Sequence, residues 1–173
     1  FDGSTWQRLK SGSKIWSFTD GGESIVNLNT GAVGIGTDTP RQQLEVGGKD
    51  GILVTGVNGE GSNLQVEGNG TRMFFYPKKA AFRAGNVSSV NKDEWNDENI
   101  GNSSVAFGGS TTASGSASAA FGLSTTASGR GSTAIGHESI ASGINSVAMG
   151  YQTHAVASES VAMGLFPIAS GES

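Results

Sequence analysis

Five copies of one short pattern, spaced fourteen residues apart, occupy the last part of this 173-residue chain. Each copy begins with serine, has alanine third and glycine fifth, and is followed by a further alanine nine residues after its serine. The copies read SVAFG, SAAFG, STAIG, SVAMG and SVAMG, beginning at Ser104, Ser118, Ser132, Ser146 and Ser160. Because a strict period means that every copy makes the same turn of the chain, it predicts a solenoid of stacked turns.

The residue types indicate that the solenoid is built of β-strands. Fourteen residues are too few for a helix-turn-helix repeat, whereas large residues at alternate positions of a five-residue segment suit short strands, two to a turn. Alternation separates a large row from an alanine row. The large row is Phe107, Phe121, Ile135, Met149 and Met163. The alanine row is Ala106, Ala120, Ala134, Ala148 and Ala162. We expect the large row to point into the roll and the alanine row to face neighbouring corners or partner subunits.

Glycine marks the corners of each turn. Gly108 and its equivalents end the first strand, and we expect Gly136 to adopt a positive φ there. Turns about 4.8 Å apart make a short, narrow stack with room for few large side chains. Because so thin a core buries little apolar surface to offset the entropy lost on ordering, we expect a homo-oligomer, and a trimer is the commonest arrangement in fibres.

The repeat from Ser104 to Ser173 resembles the head repeat of the YadA-type trimeric autotransporter adhesins. The likeness is carried by S-V-A-Φ-G followed by A-S-G at fourteen-residue spacing. It implies a left-handed parallel β-roll, three copies of which form a head that binds host surface molecules. The asparagine that is usual before the serine in that family stands here only at Asn145.

The upstream part carries shorter resemblances. Ala32 to Val46, AVGIGTDTPRQQLEV, resembles a segment of bacteriophage tail fibres and large bacterial surface fibres, and Tyr76 to Gly85, YPKKAAFRAG, resembles the lead into head repeats. We therefore predict an all-β trimeric fibre in three parts: a β-rich stalk segment at 1–48, a β-rich connector at 49–103 and the roll at 104–173. Predicted strands upstream are Lys14 to Thr19, Ser24 to Leu28, Ile52 to Val57, Asn63 to Val66 and Arg72 to Tyr76, with a helical turn or two at Lys92 to Asn99.

Composition and charge exclude several classes of function. The chain has 28 Gly and no Cys, so thiol catalysis and disulfides are absent. The roll carries Arg130 as its single cation, so no basic footprint for nucleic acid is present. No apolar run approaches the length of a membrane span and no signal peptide begins at Phe1. We expect this chain to be a segment of a longer extracellular or bacterial surface protein, with a virion tail fibre as the second option.

Three functions remain after these exclusions. The first is a structural and adhesive fibre segment that attaches to a cell-surface glycan or protein. The second is a tailspike-like glycan-degrading enzyme, which needs paired carboxylates; Glu138 and Glu159, the internal acids of the roll, stand at different repeat positions. The third is ice binding, suggested by Thr111-Thr112 and Thr125-Thr126, but the threonine ladder fails in later repeats. We favour the adhesive segment and predict no enzyme activity, no cofactor and no metal site.

Candidate ligand-binding residues lie at the variable positions of the repeat, where a solenoid can change its surface without disturbing its core. They are Arg130, His137, Tyr151, Gln152, His154 and Phe166.

Two other features allow alternative interpretations. The oxygen-rich stretch Asp93 to Asn99 could bind calcium but lacks the pattern of an EF-hand loop, so we favour a solvated turn capping the roll. Lys78, Lys79 and Arg83 could hold an anionic group, but we favour cations facing solvent beside aromatic residues that pack between subunits. Trp95 could stack on a sugar or be buried, as most tryptophans are.

Overall fold

The computed structural model describes residues 16–19, 24–27, 32–35, 40–47, 49, 51–90 and 93–171. The chain divides into two compact units, Phe1–Leu53 and Val54–Ser173. The described residues form β-strands joined by turns and two single-turn 3₁₀ helices. None of their helices is long and apolar enough to cross a membrane. The all-β prediction is confirmed, whereas the division at residues 48 and 103 stays a prediction.

The first unit contains two pairs of short strands. β1 (Trp16–Thr19) and β2 (Ser24–Asn27) pair antiparallel, which confirms the strands predicted on either side of the Asp20-Gly21-Gly22 sequence, although those turn residues lie outside the described ones. β3 (Val33–Ile35) and β4 (Leu44–Val46) pair in parallel. Both strands of the second pair lie within Ala32 to Val46, the segment that resembles part of bacteriophage and bacterial surface fibres.

Residues 51–69, which end the first unit and begin the second, are mostly exposed, and a hairpin follows them. Residues 51–69 contain no strand, so the strands predicted at Ile52 to Val57 and Asn63 to Val66 are wrong. A strand needs a neighbour to pair its backbone groups, and no strand among the described residues lies alongside these apolar side chains, of which Leu53 is 86% exposed. β5 (Gly70–Tyr76) is confirmed and pairs antiparallel with β6 (Ala81–Val87) around the 3₁₀ helix Pro77–Lys79.

The repeats form the predicted roll, with one long and one short strand in each turn. The long strands are β7 (Val105–Gly109), β9 (Ala119–Leu123), β11 (Thr133–His137), β13 (Val147–Tyr151) and β15 (Val161–Leu165). The short strands are β8 (Thr112–Ala113), β10 (Thr126–Ala127), β12 (Ile140–Ala141), β14 (His154–Ala155) and β16 (Ile168–Ala169). Each strand pairs in parallel with its equivalent one turn away, so that alanine lies beside alanine and glycine beside glycine throughout the stack.

The interior of the roll is lined by small side chains. Four rows of residues, each repeating every fourteen residues, line it. The rows that begin at Ala106 and Ala113 are alanine, and the row that begins at Ser104 is serine. The row that begins at Thr111 is threonine or serine and ends with Pro167. The large row faces outward: Phe107 is 38% exposed and Met163 61%. The expected orientation is therefore wrong, and the alanine row cannot be the surface that meets a partner. The two sheets enclose a space that the four small side chains of each turn already fill.

Residues with positive φ lie at and next to the corners. Gly108 and Gly136 are inside β7 and β11, one residue before each strand ends, so the prediction that this glycine ends the strand is wrong. Their φ values of 119° and 118° confirm the positive φ predicted for Gly136. A Cβ on Gly136 would lie 2.0 Å from the carbonyl oxygen of Gly150 in the next turn, so glycine is also needed for close approach. The position before each repeat serine is left-handed as well, with Asn145 at 55°. Asparagine tolerates that conformation better than most residues, which explains its use there.

The strand β6 extends the roll by one degenerate turn. It pairs in parallel with β7, so that Gly85 lies beside Gly108 and Arg83 beside Ala106. Arg83 thus occupies an interior position of the roll and is fully buried. Trp95, also fully buried, donates from Nε1 to the carbonyl of Thr111 at 2.8 Å. These two side chains close the first end of the roll.

Candidate ligand-binding corner

One corner of the last three turns carries large and polar side chains where the first two turns carry small ones, except for Leu123. We call it the variable corner. It comprises His137, Glu138, Ile140, Tyr151, Gln152, His154, Phe166 and Ile168. The equivalent residues of the first two turns are Gly109, Ser110, Thr112, Leu123, Ser124 and Thr126. The surface changes at fixed repeat positions while the alanine rows beneath it stay constant.

The backbone stacks the corner residues directly over one another. Glu138, Gln152 and Phe166 all have left-handed φ, between 51° and 62°. Each backbone N–H donates to a carbonyl of the preceding turn, as Glu138 does to Leu123 at 2.9 Å and Phe166 to Tyr151 at 3.0 Å. The three side chains therefore project from equivalent points one turn apart.

The ring of Phe166 also forms a ladder of three rings with those of Tyr151 and His137. The ring centroids of His137 and Tyr151 are 5.1 Å apart, and those of Tyr151 and Phe166 are 5.4 Å apart. Both pairs meet edge to face at 80°. Tyr151 and Phe166 are both exposed, so the ladder offers ring surface to solvent.

Polar groups adjoin the ladder. The amide Nε2 of Gln152 donates to Oε2 of Glu138 in the preceding turn. Nε2 of His137 lies 3.4 Å from the other oxygen, Oε1. The carboxylate is thus oriented by two neighbours while keeping further acceptor capacity.

An open groove of about 480 Å³ runs along the other side of the corner residues. Its lining combines apolar and hydrogen-bonding side chains: Glu138, Ile140, Gln152, His154, Phe166 and Ile168. Such a mixture can hold a ligand by apolar contact and orient it by hydrogen bonds.

Five of the six candidate residues meet at this corner, and Arg130 does not. Arg130 is exposed at the opposite corner, where its carbonyl accepts from the backbone of Asn145 at 2.8 Å. Sequence reasoning missed Ile140 and Ile168 and treated Glu138 only as a possible catalytic acid. The sequence could have indicated all three residues, since each stands at a repeat position where the first two turns have serine or threonine.

The basic patch expected at Lys78, Lys79 and Arg83 does not form. Arg83 is inside the roll, which corrects the expectation that it faces solvent, and burial lowers its pKa to about 10. Lys79 lies 3.4 Å from the carboxylate of Asp97, and Lys78 donates to Asn63 at 2.8 Å. The three cations therefore have separate partners.

The acidic stretch before the roll is part of its packing. The Tyr76 hydroxyl donates to Asp97 at 2.6 Å, which lowers the pKa of Asp97. Burial, followed by that hydrogen bond, raises the pKa of Tyr76 to about 12. Trp95 is buried, as most tryptophans are. No cluster of three or more potential metal-ligating side chains occurs within the described ranges.

The two internal carboxylates of the roll stand at different corners. Glu138 follows β11 at the variable corner, whereas Glu159 lies between β14 and β15 at the opposite one. They do not form the facing pair that glycoside hydrolysis requires.

Comparison with known families identifies the roll. The YadA head domain repeat matches at residues 100–125, 113–139, 127–152 and 141–166. Residues 100–166 are therefore YadA head repeats, in agreement with the resemblance carried by the repeat sequence. This family indicates an adhesive fibre segment exposed at the bacterial surface, and it gives no support to a virion tail fibre. Neither a curated protein nor a solved structure matches the chain.

Proposed function

We propose that this chain is a segment of a homotrimeric adhesive fibre that presents its roll to a glycan or protein on another cell. One observation carries the proposal: a roll of YadA head repeats leaves a continuous row of large apolar side chains on its outer face. We propose no catalytic role, because the YadA head family is structural and adhesive in character.

The apolar row offers a surface for partner subunits. Phe82, Phe107 and Phe121 follow one another at centroid distances of 5.3 Å and 5.6 Å, and the last two are stacked nearly parallel. The row continues through Ile135, Met149 and Met163. Contiguous exposed apolar surface of this kind marks interaction sites in soluble proteins.

The interior of the roll supports the same conclusion. Alanine, serine and threonine bury little apolar area per residue, so the roll gains less from its own core than a domain of ordinary composition. Covering the outer row by two further copies supplies the missing burial. The number three comes from the family resemblance.

Three copies also suit attachment to a surface. Each copy brings one ligand site at a fixed distance from the others, so that avidity raises apparent affinity by about 10² or more over a single site. Binding is therefore expected to be weak for a soluble monovalent ligand and strong for a coated surface.

Two measurements test the proposal. Light scattering of the purified chain should give three times the mass of 17.5 kDa, and beads coated with it should adhere to cells. A stable folded monomer would refute the trimer. Beads that adhere no better than beads coated with an unrelated trimer would refute the adhesive role.

A further inference from the structure

We propose that the variable corner binds an uncharged oligosaccharide laid along the stack of turns. This inference rests on the proposed adhesive function and names the ligand class and the residues that recognise it. Three features of the corner support it: the positions at which the sequence varies, the chemical groups that are exposed, and the charge of those groups.

The position of the variation separates the corner from the framework. Within each turn the interior alanines do not vary, whereas the residue at the corner changes from Ser124 to Glu138, Gln152 and Phe166. In the first turn, Gly109, Ser110 and Thr112 occupy the same corner. Large side chains there are therefore not needed to form the roll.

The exposed groups match the chemistry of a sugar. A pyranose ring has apolar C–H faces and a rim of hydroxyl groups, so it is held by aromatic surface together with groups that donate and accept hydrogen bonds. Tyr151 and Phe166 supply the aromatic surface, and Glu138, Gln152 and His154 supply the polar groups beside it. The ring spacing of 5.1 to 5.4 Å is comparable with the length of one pyranose unit, so a linear chain meets a ring at each turn.

The charge of the corner selects against acidic sugars. Glu138 is its carboxylate, and no lysine or arginine lines the groove in the described part of the chain. Arg130, the single cation of the roll, is at the opposite corner. A sialylated or sulfated chain would meet the carboxylate without a compensating cation, whereas a hydroxyl can donate to it.

The repeat itself provides variants that keep the fold. Tyr151→Leu, Gln152→Ser and His154→Thr each introduce the residue found at the same position of the second turn, namely Leu123, Ser124 and Thr126. Because the roll already accommodates these residues, their circular dichroism and oligomeric mass should match those of the unmodified chain. Arg130→Ala and Glu159→Ala are controls at the opposite corner, where alanine is already found at the equivalent position of Glu159, Ala117.

The test is binding of the full chain to an array of immobilised oligosaccharides. We expect retention on uncharged linear oligosaccharides, at least about tenfold weaker binding to sialylated or sulfated versions of them, and about tenfold loss in each corner variant. The two controls should stay within about twofold of the unmodified chain. Retention that prefers the anionic versions, or that is unchanged in all three variants, overturns the inference.

Cell adhesion of coated beads separates this inference from the proposed function. If beads adhere but no uncharged oligosaccharide is bound, the corner is not a glycan site and the adhesive role stands. If adhesion is abolished by treating the cells with protease but not by removing their glycans, the ligand is a protein and the inference is wrong. If the beads do not adhere and the array shows no binding, both proposals fail.

Discussion

The guanidinium group of Arg83 donates to the backbone carbonyl of Ala113 at 3.0 Å, thirty residues further along the chain. It also donates to the carbonyl of Ser104 at 3.1 Å and to its hydroxyl at 2.8 Å. No carboxylate pairs with it among the residues that the structure describes. A buried cation thus satisfies polar groups at the end of the roll, where no further alanine turn is present to cover them.

Replacing this cation should destabilise the roll. Arg83→Met keeps much of the side-chain volume but removes one of the two donors to each of the carbonyls of Ser104 and Ala113, which still accept from the backbone N–H groups of Phe82 and Gly101. We expect the free energy of unfolding to fall by about 2 kcal/mol. Chemical denaturation measures the change, with the exposed Arg130→Ala as the control. A loss below about 0.5 kcal/mol would show that the backbone donors alone satisfy these carbonyls.

Two glycines with the same φ can separate backbone strain from close approach. Gly136 and Gly164 have φ of 118° and 116°, but a Cβ would meet the next turn only at Gly136. Gly164→Ala should cost about 1 to 2 kcal/mol from strain alone, and Gly136→Ala about 2 kcal/mol more. Equal melting temperatures for the two variants would mean that the turns of Gly136 and Gly150 can move apart without loss of stability.

Neighbouring residues on opposite faces of β11 should respond differently to a charge. Ile135→Asp places a carboxylate on the outer row and should prevent assembly while leaving a folded roll. Ala134→Asp places it in the fully buried interior and should prevent folding. Light scattering and circular dichroism distinguish the outcomes, and a trimeric Ile135→Asp chain would place the interface elsewhere.

Acid should weaken the contact between Tyr76 and Asp97. The folded pKa of Asp97 lies below its ordinary value of 3.8, so its stabilisation is present above that pH and is lost as the pH falls through the folded pKa. Asp97→Asn should therefore cost about 1.5 kcal/mol at pH 7 and progressively less below pH 3.8. Glu98→Gln, on an exposed neighbour, should show no such dependence. A difference between Asp97→Asn and the unmodified chain that stays constant with pH would contradict the assignment.

Asparagine should stabilise a corner where the backbone is left-handed. Ala117 has φ of 55°, at the position that Asn145 occupies two turns later. Ala117→Asn should raise the free energy of unfolding by about 0.5 to 1 kcal/mol. Ser116→Asn, next to it and without a positive φ, is the matched control. If both changes have the same effect, the corner conformation is not the cause.

Different residues were predictable to different degrees. The variable positions pointed to Tyr151, Gln152 and His154, because residues that depart from a strict repeat identify its adaptable surface. The prediction that Arg83 faces solvent was wrong because β6 belongs to the roll only through its pairing with β7. In the sequence, fifteen residues that do not follow the repeat separate Val87, the last residue of β6, from Ser103. The run FRAGN at 82–86 carries its glycine in register with that of VAFGG, but arginine stands where the repeat has its interior alanine, so one degenerate copy is too weak a signal by itself.

The sequence alone determined the fourteen-residue turn, its two strands, the positive φ of its glycine Gly136 and the family of its repeat. Only the tertiary structure decided that Ala106 faces inward and Phe107 outward. Alternation along a strand separates two faces without stating which is buried, and large side chains usually mark the inside. In a roll with so few residues per turn, the sheets are too close for a phenylalanine, so alanine fills the interior and the large row is left for a partner.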